Sequence, residues 1–160
     1  MSRKVSVRFF AVALAAASLA TIPLTASSAS TSKVSCAKEF SPAPKISTGT
    51  IKVTSTLSAC VNLAPTATNA STVNTKTLSG TSKTTWAGGK GTTLQSVKYV
   101  IQKTLGKCPK GNLRISVTAT TTGGTGAALK AIPKGSVGKT SICSDAKKGS
   151  ALESGTKATF

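Results

Sequence analysis

From Leu113 to Thr120 the chain alternates strictly between apolar and polar side chains. Leu113, Ile115, Val117 and Ala119 take one set of positions, and Arg114, Ser116, Thr118 and Thr120 take the other. Successive side chains of a strand point to opposite sides of a sheet, so period two marks a half-buried strand and excludes an amphipathic helix. Thr50–Leu57 repeats the pattern, with Ile51, Val53, Ser55 and Leu57 on one face, and Cys60 and Val61 extend it. Residues 73–79 alternate weakly, and 81–86 read as a further strand. Between such segments lie A-G-G-K-G (87–91), C-P-K-G-N (108–112), T-G-G-T-G (122–126), P-K-G-S (133–136) and D-A-K-K-G-S (145–150). Glycine permits positive φ and proline fixes the turn, so these are strand-to-strand connections. The A-G-G-K-G turn predicts a hairpin of 81–86 with 92–105. Short strands punctuated in this way imply an all-β domain, an immunoglobulin-like sandwich by first choice or a small barrel.

Composition agrees. The chain is rich in Thr, Ser, Gly and Ala, whereas a helical bundle wants Leu, Glu and Ala at helical spacing. Residues 92–105 are the ambiguous stretch. Val97, Tyr99 and Ile101 alternate as in a strand, while Leu94, Val97, Ile101 and Leu105 share a helix face that Gly106 would cap. The β-branched residues and the preceding turn favour a strand. Residues 30–48, with Pro42 and Pro44, read as an irregular lead-in, and 62–71 as a polar loop around Pro65. Ala127–Ile132 is a short apolar piece without a clear period. Leu152, Ala158 and Phe160 belong to a last strand. No internal repeat divides residues 49–160, which are read as one domain.

Residues 1–29 have the pattern of a secretory signal peptide. Arg3, Lys4 and Arg8 precede the apolar run Phe9–Ala20, Pro23 breaks any helix, and Ser27 and Ala29 supply the small side chains of a cleavage site after Ala29. A membrane anchor needs about 20 apolar residues, more than this run has. No adjacent arginines give a twin-arginine signal, and Cys36 lies too far past Pro23 for a lipoprotein signal. The expectation is a cleaved, Sec-type signal and a secreted, extracellular product, in place on the cell envelope or free.

Export sets the chemistry of the four cysteines, Cys36, Cys60, Cys108 and Cys143. In an oxidising compartment they predict two disulfides. Three connectivities are open. Cys36–Cys60 with Cys108–Cys143 is preferred, because sequence neighbours are often sheet neighbours. Their wide spacing, without C-x-x-C, argues against a zinc or redox motif.

The segments T-S-T-L-S-A-C (54–60), T-T-W (84–86), C-P-K-G (108–111), T-G-G-T-G-A-A (122–128) and I-P-K-G-S (132–136), in that order, resemble a group of small secreted actinobacterial proteins of unknown function. The resemblance spans roughly residues 49–160. It implies a secreted β domain with two disulfides, and it brings no activity and no site residues.

Catalytic constellations are not visible. The chain has no histidine, so no His-based triad is possible. The acids Glu39, Asp145 and Glu153 are scattered, and Asp145 beside Lys147 and Lys148 reads as local charge balance. Ser–Lys pairs are too numerous for any one to be singled out. G88-G-K-G91, G123-G-T-G126 and G-K-T at 138–140 lack the spacing of a phosphate-binding loop. The reading is therefore a non-enzyme without cofactor or metal.

Charge is the remaining signal. The full chain carries 21 Lys and Arg against 3 acids, a net +18. Beyond residue 29 the basic residues are lysines except Arg114. Nucleic-acid readout and stacking use Arg and aromatics, and those are few, so nucleic acid is not the expected partner. Either the lysines form a solvated surface, or they attract an anionic phase: cell-wall polymers or lipid headgroups. The densest groups, Lys103, Lys107 and Lys110 with Lys147 and Lys148, are the candidate anion-contacting residues. Trp86 beside its glycine turn is either a loop anchor or the core tryptophan. A cationic antimicrobial or toxin-like effector and an oligomerising surface-structural protein are the alternative roles.

Overall fold

A computed structural model describes residues 33–145 and 147–160. The expected signal segment 1–29 lies outside them. Among the described residues ten strands form in chain order: β1 (Ser35–Ser41), β2 (Lys45–Ser47), β3 (Thr50–Val61), β4 (Thr66–Asn74), β5 (Ser79–Trp86), β6 (Gly91–Ile101), β7 (Leu113–Gly124), β8 (Val137–Asp145), β9 (Gly149–Leu152) and β10 (Ala158–Thr159). One six-residue helix, α1 (Gly126–Ala131), precedes β8.

From β3 to β9 each strand pairs antiparallel with the next. β1 then pairs with β3 on one side, Glu39 opposite Leu57, and with β9 on the other, Phe40 opposite Ala151. The sheet closes into an eight-strand antiparallel barrel, with β2 added along β3 and β10 along β1. Alternation then has a simple meaning: one face of every strand looks into the barrel and the other into solvent.

The all-β reading holds, and of the two architectures the molecule is the barrel. A sandwich needs two sheets packed face to face, whereas here β1 bridges what would have been two free edges. The hairpin of β5 and β6 forms as expected, with residues 87–90 as its turn. Residues 91–101 are strand, so the ambiguous stretch resolves as β6 and its last four residues belong to a loop.

Two expectations need correction. The lead-in expected to be irregular at 30–48 contains β1 and β2, with a break at 42–44 that holds Pro42 and Pro44. Proline has no N–H for a ladder, which is why the chain leaves the sheet there. The polar loop at 62–71 is likewise shorter than expected, because β4 begins at Thr66. Its inward positions include Asn69 and Ser71, so no apolar alternation marks it. The uncertain piece at 127–132 is mostly α1, held by Ala128 and followed by Ile132, both fully buried.

The core sits at one end of the barrel. Val34, Leu57, Ala64, Ala67, Trp86, Ala128, Ile132, Ala158 and Phe160 pack together with Cys36. Trp86 is 2% exposed and meets Phe160 edge to face at 5.1 Å between ring centroids. Its indole N–H donates to Thr93 Oγ1 at 3.4 Å. Trp86 is thus a core residue, its polar handle satisfied as a buried indole requires. β10 seals this end by lying close to Gly138, whose α-carbon faces the Thr159 carbonyl too closely for any Cβ.

Both preferred disulfides are present, Cys36–Cys60 and Cys108–Cys143. The first joins directly paired residues of β1 and β3. The second ties the β6–β7 loop to β8.

Candidate functional site

The opposite end of the barrel is open. Strand registers place the β2–β3, β4–β5, β6–β7 and β8–β9 connections together there. Ile101 and Leu113, 51% and 54% exposed, line both this mouth and the cavity below it. The cavity fills the lumen from the mouth down to Leu57 and Phe160, with a volume of about 280 Å³.

Its walls differ in chemistry. Ile115, Val117, Ala119 and Ile142 of β7 and β8 make an apolar side. On β1 and β3 to β6 the inward positions interleave Glu39, Ser41, Ser55, Asn69, Ser71, Ser82, Gln95 and Tyr99 with Ile51, Val53, Leu57, Val73 and Val97. These form short hydrogen-bonded relays. Ser71 Oγ donates to Asn69 Oδ1 at 2.8 Å, and Asn69 Nδ2 donates to Thr84 Oγ1 at 2.8 Å. Ser82 Oγ donates to Gln95 Oε1 at 3.3 Å. Gln95 is 2% exposed, and its Nε2 has no hydrogen-bond partner; Thr140 Oγ1, on the apolar side, has none either.

Burial shapes the two ionisable groups of this wall. It pushes the Glu39 carboxyl above its ordinary 4.5, partly opposed by a hydrogen bond from Ser55. Burial also pushes the Tyr99 phenol above 10.0, a hydrogen bond to Ser71 acts the other way, and the charge of Glu39 raises it further.

The five lysines singled out in the sequence sit at one corner of the open end, all exposed. Lys103, Lys107 and Lys110 belong to the β6–β7 loop, and Lys147 and Lys148 to the β8–β9 turn. The Cys108–Cys143 bond and the pairing of Leu113 with Ser144 hold the two groups on neighbouring strands. Lys45, Lys52 and Lys76 add charge near the same end, while Lys33, Lys90, Lys130 and Lys134 lie toward the closed one.

The acids near this corner are structural. Asp145 Oδ1 accepts the backbone N–H groups of Lys147 at 2.8 Å and Lys148 at 3.0 Å, which shapes the turn and holds its carboxyl below the usual 3.8. Glu153 is 3% exposed. It accepts the Lys107 backbone N–H at 2.7 Å and Arg114 Nε at 2.8 Å, and both lower its pKa from 4.5, the backbone bond most. Arg114 is therefore an internal clamp for the lysine loop.

Among the described residues no group of three or more His, Cys, Asp or Glu is placed to hold a metal ion, and no helix is long and apolar enough to cross a membrane. Comparison with protein-family models, curated proteins and solved structures finds no match.

The two disulfides were legible in the sequence. The lumen was not, although its signal was present: Ser55 interrupts an otherwise apolar inward face, and Asn69, Ser71, Ser82 and Gln95 occupy inward positions where a filled barrel would carry Val or Leu.

Proposed function

We propose that the protein is an exported, non-catalytic barrel that docks through its lysine-bearing corner on anionic phosphate surfaces of the cell envelope. The observation that carries this reading is the joining of two sequence-distant lysine groups by the Cys108–Cys143 bond at one corner. A solvated surface needs only dispersed charge, whereas a docking patch needs charges held in register. Near an anionic surface each lysine contributes about 1 kcal/mol, which salt screens. Two disulfides fit the oxidising compartment that export implies.

Co-sedimentation tests the reading. The exported protein is mixed with phosphatidylglycerol-containing vesicles in one arm and with cell walls bearing phosphodiester polymers in the other. Binding is expected at ~0.01 M salt and lost near ~1 M, as the Debye length falls from about 30 Å to about 3 Å. The arm that binds identifies the source of the phosphate. The variant with Lys103, Lys107, Lys110, Lys147 and Lys148 all changed to Gln is expected to bind at least tenfold more weakly. Binding that is unchanged by that variant, or absent in both arms at low salt, sinks the proposal.

A further inference from the structure

We propose that the barrel lumen is a binding site for a small uncharged amphiphile with an apolar body and one hydroxyl- or amide-type hydrogen-bonding edge. The inference goes beyond the docking reading and stands without it.

Size comes first. A dry cavity of about 150 Å³ admits benzene. A lumen of about 280 Å³ therefore has room for a two-ring molecule. An eight-strand barrel is just wide enough to be filled by its own side chains, so an empty one has been kept hollow by its sequence. Here the hollowing residues are identifiable as Ser41, Ser55, Ser71 and Ser82, small side chains at inward positions.

The walls then set the chemistry. Ile115, Val117 and Ile142 offer an apolar face, and the opposite wall sets donors and acceptors among Val53, Val73 and Val97. The large majority of buried side-chain polar atoms in folded proteins are hydrogen-bonded. Gln95 is buried and lines the cavity, yet Ser82 satisfies only its Oε1. Rotating the amide only changes which end is left over, so one end stays available to a hydrogen-bonding edge in the lumen.

Charge narrows the class. Glu39 is the only carboxylate among the cavity-lining residues. Lys139 is the one lysine among them, and it is exposed, lying between inward Gly138 and Thr140. An anion in the lumen would meet Glu39 without a buried cation to pair with, and an unpaired buried charge is costly. A cation must enter past the exposed Lys103, Lys107, Lys110, Lys147 and Lys148 of the open end. An uncharged molecule meets neither barrier.

The test uses the exported protein with three probes of one size: 2-naphthol, naphthalene-2-carboxylate and 2-(aminomethyl)naphthalene as its ammonium. Methyl NMR shifts report the location. With 2-naphthol, saturable shifts are expected at the lumen methyls of Leu57, Ile115, Val117 and Ile142, unchanged at ~1 M salt because no charge is screened. The outward Val61 and Leu94 should stay still. Gln95→Leu is expected to weaken 2-naphthol about tenfold, the effect of losing one hydrogen bond. Ser71→Leu, which fills the lumen, should abolish the shifts while the far-ultraviolet circular dichroism stays native. Shifts absent up to the solubility of 2-naphthol, or confined to Val61 and Leu94, overturn the site. Tighter lumen binding of either charged probe overturns the uncharged class.

Discussion

Glu39 and Glu153 are two of only three acids in the chain, and their surroundings move them in opposite directions. Burial in the lumen wall raises Glu39, while the Lys107 N–H and Arg114 lower Glu153. The signs of their pH effects follow from linkage. Below pH 4.5 Glu39 is protonated in both folded and unfolded chains. Between 4.5 and its raised folded value, only the unfolded chain releases the proton, so stability falls as pH rises through that window. Glu39→Gln is thus expected to gain a few degrees of melting temperature over wild type by pH 7 and almost none at pH 4, read by thermal melts. Glu153 behaves in reverse. Its contribution is present above 4.5 and disappears as pH falls through its lowered folded value. Glu153→Gln should melt below wild type at pH 7 and converge with it in acid. The sequence located both acids but not these environments, because each depends on partners far along the chain: Ser55 for Glu39, and Lys107 with Arg114 for Glu153.

Elements were legible where the inward face is apolar. β3 and β7 announce themselves through Ile51, Val53 and Leu57, and through Leu113, Ile115 and Val117. β4 and β1 do not, because Asn69, Ser71 and Glu39 stand at inward positions and prolines follow β1. The same polarity that hides these strands from a hydrophobic pattern builds the polar wall of the lumen. The β6–β7 loop is an element of another kind, fixed to the barrel by Cys108–Cys143 and by Glu153. Cys108→Ser with Cys143→Ser opens a 35-residue loop, and the chain-entropy estimate for that is about 3–4 kcal/mol of lost stability. Denaturant unfolding measures that loss. The same variant should bind anionic vesicles more weakly, because Lys107 and Lys110 are then held near Lys147 and Lys148 only by the Glu153 contact and the Leu113–Ser144 pairing.

At the scale of the molecule, alternation and turns specify an all-β chain but not how its edges end. Whether strands close on themselves depends on β1 meeting both β3 and β9, a pairing without local signature. The closed end is the other global feature, built where β10, Trp86 and Phe160 converge. Phe160→Ala removes the ring against Trp86 and is expected to cost about 3–5 kcal/mol. The emission of the single tryptophan should move to longer wavelength as water reaches it, and an unmoved spectrum would contradict the packing. Closure also has a consequence in time. β1 is the first described strand to be made, and its partners β9 and β10 are the last, with Ser35 paired to Thr159. Contacts this distant in sequence form slowly. A chain threaded through a pore N-terminus first cannot complete the ring while β9 is still inside, so the topology itself defers closure until β9 has emerged.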